Sequence, residues 1–469
     1  MKSSYLKEAI GTVKARLANT QVNRRELTFA SIAFLLALAV RLILAPYTGH
    51  SYDINVHIIW LGAMENVGPF LYISPEGMGL MGPGWGHNPR FCELPPMFPL
   101  FLYLSGITFG FPARQPNPYM LVLTTKLPQI VAESMLATSI LLVARRLGRG
   151  VATWVTYLVF ALNPAALFLT SIWGIPDAIL GLFLFLSVYA AYNRKIELSA
   201  YLMSAALATK PYPIILLLPL SLYVKSMGYK VVDYWKNIIF SGIVVVSPWI
   251  IFQTYVFIEA MVMGAMHNLG IRVLQGVVWA YPSFWALVGG LVSESTYASL
   301  AVCQFPLFLI GLSVFTLLLW KRGLLSKSQE VFFVCAIYIL FFMMFMPAAH
   351  EKWEYAALPL LAIAPLASSD RHLKTSAVVA YIVFSFTILA SQLINVDYYY
   401  QMPDVLPTQR EFPLWGWIAS SMFYSTWYLA SQLFGGKWWL FWQTALDNTL
   451  CFILVFYMIL QIKPNKPNN

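Results

Sequence analysis

Ionisable side chains are scarce in this chain, and those that could do chemistry gather in three places. The first is Gly49-His50-Ser51-Tyr52-Asp53-Ile54-Asn55-Val56-His57, one carboxylate flanked by two histidines. A carboxylate placed there, Asp53, can take a proton from a polar acceptor. It can equally cap the helix that Trp60, Leu61, Met64 and Val67 predict by their spacing along the membrane interface. His50 and His57 raise a third reading, a metal held with Asp53, but two histidines and one aspartate at irregular spacing form a low-specificity pattern. The second place is Trp173-Gly174-Ile175-Pro176-Asp177, where Asp177 stands at a helix start and either caps it or faces the same compartment as Asp53. The third is His350-Glu351-Lys352-Trp353-Glu354-Tyr355. It lacks the second histidine of a zinc-protease helix, and reads as a polar binding turn or as an interfacial anchor.

Cations accompany these carboxylates. Arg41, Arg90, Lys126, Lys210, Arg272 and Lys352 all stand in or near apolar segments, where an unpaired charge costs several kcal/mol. Long basic side chains do snorkel to the interface, yet six on the side expected to be poor in positive charge suit an anionic ligand. Glu133, inside an apolar run, needs a counter-ion, for which Lys126 and Lys210 are the candidates. A well-placed carboxylate, surplus cations and aromatic walls together suit a lipid-borne phosphate and a polar acceptor.

The elements that position these residues must be membrane helices. The chain has 469 residues, 59% hydrophobic and only 11% charged, with a mean hydropathy of +0.67, against roughly 25% charged residues in soluble proteins. A soluble enzyme is excluded, as are a disordered chain and a disulfide scaffold, since there are four cysteines and three of them (Cys303, Cys335, Cys451) sit in apolar runs. Sixteen Trp and 26 Tyr fit aromatic belts at membrane interfaces. The fold class expected is all-α and polytopic, with about 13 spans of roughly 20 residues or fewer.

Residues 1–26 are basic and are expected in the cytoplasm, ahead of a first span at Leu27–Pro46 that acts as an anchor. Residues 48–93 form a long first external loop carrying interfacial helices. Pro95–Phe111 is short and reads as interfacial or re-entrant. Tyr119–Val143, Val151–Ile172 and Ala178–Tyr192 follow as spans, and Leu198–Pro219 is split by Thr209-Lys210-Pro211-Tyr212-Pro213 into two shorter helices. Asn237–Phe257 leads to a second external loop, Glu259–Tyr297. Further spans are expected at Ala298–Trp320, Val331–Pro347, Tyr355–Ala367, Ser376–Val396, Phe412–Phe434 and Leu440–Ile462. This tracing leaves about 20 of the 30 Lys and Arg in short inner loops, as the positive-inside rule requires. The net charge of +10 is thereby a topology signal, and no nucleic-acid partner is expected. No inverted repeat of broken helices is evident, which weighs against a secondary transporter.

Several motifs resemble the GT-C superfamily of membrane glycosyltransferases. They are Asp53 in the first external loop, Gly68-Pro69-Phe70-Leu71-Tyr72, Leu94-Pro95-Pro96-Met97-Phe98-Pro99, Lys126-Leu127-Pro128, Trp173 to Ala178, Ala208-Thr209-Lys210-Pro211 and His350-Glu351-Lys352-Trp353. The sub-pattern is similar to archaeal and bacterial relatives of the GPI mannosyltransferases and of the glucosyltransferases that extend lipid-linked glycans. The resemblance covers residues of about 27–370, taken as the catalytic module, and leaves 371–469 as C-terminal membrane helices. It implies inverting transfer of a hexose, mannose or glucose, from a polyprenyl- or dolichyl-phosphate donor to a lipid-linked or other glycan acceptor. The site would be extracytoplasmic, in a prokaryotic plasma membrane or the endoplasmic reticulum. Asp53 would be the catalytic base. Arg90, Lys210, Arg272, His350 and Lys352 would meet the donor phosphate, and His57, Trp173, Asp177 and Glu351 would bind substrate. No cofactor is required, and a divalent metal is optional because the phosphate is already a good leaving group. Membrane lipids are the remaining partners. A transporter or flippase of anionic or lipid-linked substrate, and a protein O-mannosyltransferase-like enzyme, are the alternatives.

Overall fold

The computed structural model describes residues 24–49, 51–69, 94–115, 117–148, 150–265, 283–292, 294–346, 353–400 and 437–462. Every regular element among the described residues is helical. In chain order the helices that matter here are α1 (Arg24–Leu44), α2 (Ser51–Val67), α3 (Met97–Phe109), α4 (Pro118–Leu147), α5 (Val151–Ala161), α6 (Asp177–Tyr192) and α7 (Ile196–Leu207). They continue with α8 (Leu217–Ser226), α9 (Val231–Ala265), α10 (Phe284–Leu291), α11 (Glu294–Lys321), α12 (Val331–Phe345), α13 (Leu358–Ala367), α14 (Arg371–Tyr400) and α15 (Lys437–Leu460).

Among the described residues, eight helical stretches are long and apolar enough to cross a membrane, and five shorter apolar helices lie between them. The layering is set by which helices are apolar all round and covered. α12 buries every residue from Val331 to Met344, and α6 buries twelve of its sixteen, so these two form the centre of the bundle. α1, α9 and α11 are as apolar but bury only 17%, 11% and 22% of their spans. They expose Leu35, Leu36, Phe240, Phe252, Ile310 and Leu317. Water would not tolerate apolar faces of that extent, and lipid does. The protein is an integral membrane protein.

Prolines explain several details of the helices. α4 begins on Asn117, whose side chain accepts from the Tyr119 and Met120 amides, with Pro118 in the first turn where a missing N–H costs nothing. Pro128 lies inside the same helix and cannot donate to the Thr124 carbonyl one turn earlier. Ser105 Oγ of α3 supplies that bond at 2.6 Å. The helix therefore continues through its proline, and α3 is docked on it. At Lys210 the outcome is the opposite. Pro211 and Pro213 leave the Leu207 and Thr209 carbonyls without their helical donors, α7 ends at Leu207, and the chain resumes as a 3₁₀ turn, Tyr212–Leu216, before α8. This is the division into two short helices expected from the sequence.

The expected Val151–Ile172 span is itself divided. α5 stops at Ala161, Asn163 caps the short helix Pro164–Leu167, and the last six residues, Phe168–Trp173, wind as a π-helix. The same Asn163 side chain donates to Tyr381 (2.8 Å) and Ser385 (2.7 Å) of α14, which locks the break to a neighbouring helix. α3 has thirteen residues, about 20 Å at 1.5 Å per residue, short of the hydrocarbon thickness as its sequence suggests. α9 runs on to Ala265, and α10 and the start of α11 are helical, so much of what reads as a loop at Glu259–Tyr297 is helix. The expected span Phe412–Phe434 lies outside the described residues.

Candidate functional site

The apolar stripe of α2 is Ile54, His57, Leu61 and Met64, all buried. It turns into the protein, where it meets α3 and α4. Gly106 of α3 allows the approach, since a Cβ there would come within 2.7 Å of Leu61 and 2.6 Å of Phe111. His57 is packed between the rings of Trp60 (5.6 Å) and Phe98 (4.8 Å), so the periodicity expected of an interfacial helix is a packing face and His57 is part of it. Asp53 is in the first turn of α2, one turn before His57 and only half-buried.

The Asp53 carboxylate accepts a hydrogen bond from Trp173 Nε1. Trp173 closes the π-helix, and Gly174 comes next in the left-handed region at φ +92°. A side chain at 174 would collide with Ile54 Cδ1 (2.7 Å) and Lys126 Cγ (2.9 Å). Glycine is therefore required there twice over, for its backbone angle and for the space. The next three residues carry the chain to Asp177, which begins α6 and is fully buried. Asp177 forms an ion pair with Lys210 at 2.6 Å, and Tyr212 donates to its other oxygen at 3.4 Å. One turn of five residues thus presents Trp173 to Asp53 and Asp177 to Lys210. Three segments far apart in sequence are brought to one end of the bundle.

Two further contacts complete the surroundings. The Met97 amide donates to the Ala208 carbonyl at 3.0 Å, joining the Leu94–Pro99 segment to the one that carries Lys210. The Tyr212 ring stacks on Trp353 (5.1 Å), which stacks in turn on Phe342 (5.9 Å). Trp353 immediately succeeds His350-Glu351-Lys352. Arg90, Arg272, His350, Glu351 and Lys352, together with His50, lie outside the described residues. Of the site residues expected from sequence, the structure brings together Asp53 with Trp173, and Lys210 with Asp177.

The other intramembrane charges are resolved differently from the sequence expectation. Glu133 pairs with Arg41, at 2.7 Å and with neither side chain exposed, rather than with Lys126 or Lys210. Thr170 and Tyr355 also donate to the Glu133 carboxylate, Tyr355 at 3.1 Å. Arg41 is thereby committed to a buried network that ties α1, α4, the π-helix and the segment before α13, and it is not available to an anionic ligand. Lys126 is also fully buried. Its ammonium donates to the carbonyls of Ala45 (3.0 Å), Thr48, Ser171 (2.8 Å) and Ile172 (3.0 Å), and to the Thr48 hydroxyl (3.2 Å). Sequence inspection misses this role because main-chain carbonyls carry no residue identity.

No group of three or more His, Cys, Asp or Glu side chains placed to hold a metal is found among the described residues. Lys210 keeps donor capacity, since an ammonium has three N–H groups and among the described residues Asp177 is its one side-chain acceptor. Chemically, the end of the bundle offers a carboxylate oriented by an indole, a lysine paired with a buried carboxylate, and stacked aromatic rings. Comparison with protein-family models found no match, and comparison with curated protein sequences found none either.

Proposed function

We propose that this protein is an inverting glycosyltransferase of the GT-C kind, moving a hexose from a polyprenyl- or dolichyl-phosphate carrier to a hydroxyl of a lipid-linked or other glycan on the extracytoplasmic side. The observation that carries this reading is the turn Trp173–Asp177, which orients Asp53 at one end and holds Lys210 at the other. The eight helices long and apolar enough to cross a membrane, with five shorter apolar helices between them, supply the polytopic scaffold that such an enzyme needs.

In this reading Asp53 takes the proton of the acceptor hydroxyl as its oxygen attacks the anomeric carbon. The new carbon–oxygen bond forms as the bond from that carbon to the phosphate oxygen breaks, and the polyprenyl phosphate departs with the electron pair. Attack opposite the leaving group inverts the anomeric centre. A base so placed speeds the step by about 10² to 10⁴-fold. Charge developing on the departing phosphate is met by Lys210, which keeps N–H groups beyond the one given to Asp177, together with Arg90, Arg272, His350 and Lys352 as candidates from the sequence. The stack of Trp353 on Tyr212 supplies an apolar wall of the type sugars lie against. A divalent metal is not needed for this scheme and is compatible with it.

The test is the fate of a polyprenyl-phosphate hexose given to membranes that contain the protein. An enzyme releases the polyprenyl phosphate and labels an acceptor. Recovery of the donor chemically unchanged on the opposite side of the membrane is the outcome that favours a transporter instead.

A further inference from the structure

Lys126 lies wholly inside the protein, and among the described residues no carboxylate is in its hydrogen-bond set. Four carbonyls and one hydroxyl converge on its nitrogen. Every one of these groups is an acceptor toward it, so an ammonium, its three N–H groups shared among the five, suits the cage, whereas a neutral amine would turn its lone pair toward oxygen. The carbonyls come from two places. Ala45 opens and Thr48 caps the three-residue 3₁₀ extension at the end of α1, and Ser171 and Ile172 lie in the last turn of the π-helix. Both are helix C-termini, whose last carbonyls lack helical donors and carry partial negative charge.

Each of these helix ends leads within a few residues to a member of the site. Five residues after Thr48 comes Asp53, and directly after Ile172 comes Trp173, its hydrogen-bond donor. Thr48 reinforces the junction, its one hydroxyl proton shared between Ser171 O at 3.0 Å and Leu44 O at 2.9 Å. Gln129 lies one turn along α4 from Lys126, on the same face, and donates to Gly174 O at 2.8 Å. The absent Cβ of Gly174 leaves room for the Lys126 stem. We propose that Lys126 is the positioning residue of the site: one buried ammonium clamps together the helix end that leads into the first turn of α2, where Asp53 stands, and the one that ends in Trp173, and so fixes the carboxylate for its work as a base. This rests on the glycosyltransferase reading, and it adds a residue that makes no contact with substrate.

The experiment compares wild type, Lys126→Met, Asp53→Asn and the double variant in full-length protein, using a polyprenyl-phosphate hexose and reading kcat and KM. Misplacing a reacting group by about 1 Å costs on the order of 10²-fold. Lys126→Met is expected to lower kcat by about that factor with donor KM changed by less than about threefold, and the double variant to be no slower than Asp53→Asn. Multiplying effects, or an unchanged kcat in Lys126→Met, overturn the proposal. Thr48→Val is a milder variant should Lys126→Met fold poorly, with an expected loss of about threefold to tenfold. Amide hydrogen exchange supplies a readout independent of activity: Lys126→Met should exchange faster at the start of α2 and across residues 171–175 together. Unchanged protection there overturns the clamp. Absence of transfer by the wild type with faster exchange in the variant would instead reject the glycosyltransferase reading and leave the clamp standing.

Discussion

The indole of Trp173 donates its one N–H to the carboxylate of Asp53, across 120 positions of sequence. An indole cannot accept, so this bond sets the orientation of the carboxylate without competing for the proton it is proposed to take. It also makes Trp173 the companion of Asp53 in the proposed reaction.

Replacing Trp173 by Phe keeps most of the ring and removes the donor. A hydrogen bond to a charged group contributes about 1.5–3 kcal/mol, so kcat should fall about tenfold to a hundredfold while donor KM holds. A rise in KM with kcat unchanged would mean that the ring binds substrate and does not orient the base.

Lys210→Met alone leaves Asp177 buried without its counter-ion. Breaking such a pair costs about 3–5 kcal/mol, and the midpoint of thermal unfolding in detergent should drop accordingly. Removing both charges, Lys210→Met with Asp177→Leu, is expected to restore most of the midpoint and none of the transfer. Activity in the double variant would take Lys210 out of phosphate binding.

Gly174→Ala should cost about 1–3 kcal/mol from the left-handed backbone alone, with the contacts to Ile54 and Lys126 added to it. Thermal unfolding and transfer should fall together in this variant. A protein of unchanged midpoint would show that the turn relaxes freely.

Glu354 is fully buried, and among the described residues neither of its carboxyl oxygens has a hydrogen-bond partner. It stands next to Trp353, yet nothing in the proposed reaction uses it. Glu354→Leu should raise stability by about 1–3 kcal/mol, the penalty of an unsatisfied buried polar group. A lower midpoint would assign the carboxyl a partner.

The prolines illustrate how far sequence reasoning reaches in this chain. At Pro211 and Pro213 the helix break was legible, because two prolines in three residues leave too many carbonyls without donors. At Pro128 the expected span Tyr119–Val143 runs straight through the proline, as the helix does, but the hydroxyl that satisfies the Thr124 carbonyl comes from Ser105 on another helix and was not legible. Asp53, Asp177 and Lys210 were legible as charged residues out of place in an apolar chain and Trp173 as the start of the motif that carries Asp177, but their pairing was not, since each bond spans at least 33 positions. Arg41 was misread for the same reason, its partner Glu133 being 92 positions away. His57 was legible as a polar residue, but its packing against Trp60 and Phe98 was not, since Phe98 is 41 positions away. The π-helix before Gly174 has no signature in residue type at all, and it is this widened turn that delivers Trp173 to Asp53.

The most direct measurement is glycosyl transfer from radiolabelled undecaprenyl- or dolichyl-phosphate hexoses to endogenous lipid acceptors, in membranes matched for wild type and Asp53→Asn. The account predicts labelled product with wild type and a loss of about 10² to 10⁴-fold in the variant. Equal transfer by both would contradict it.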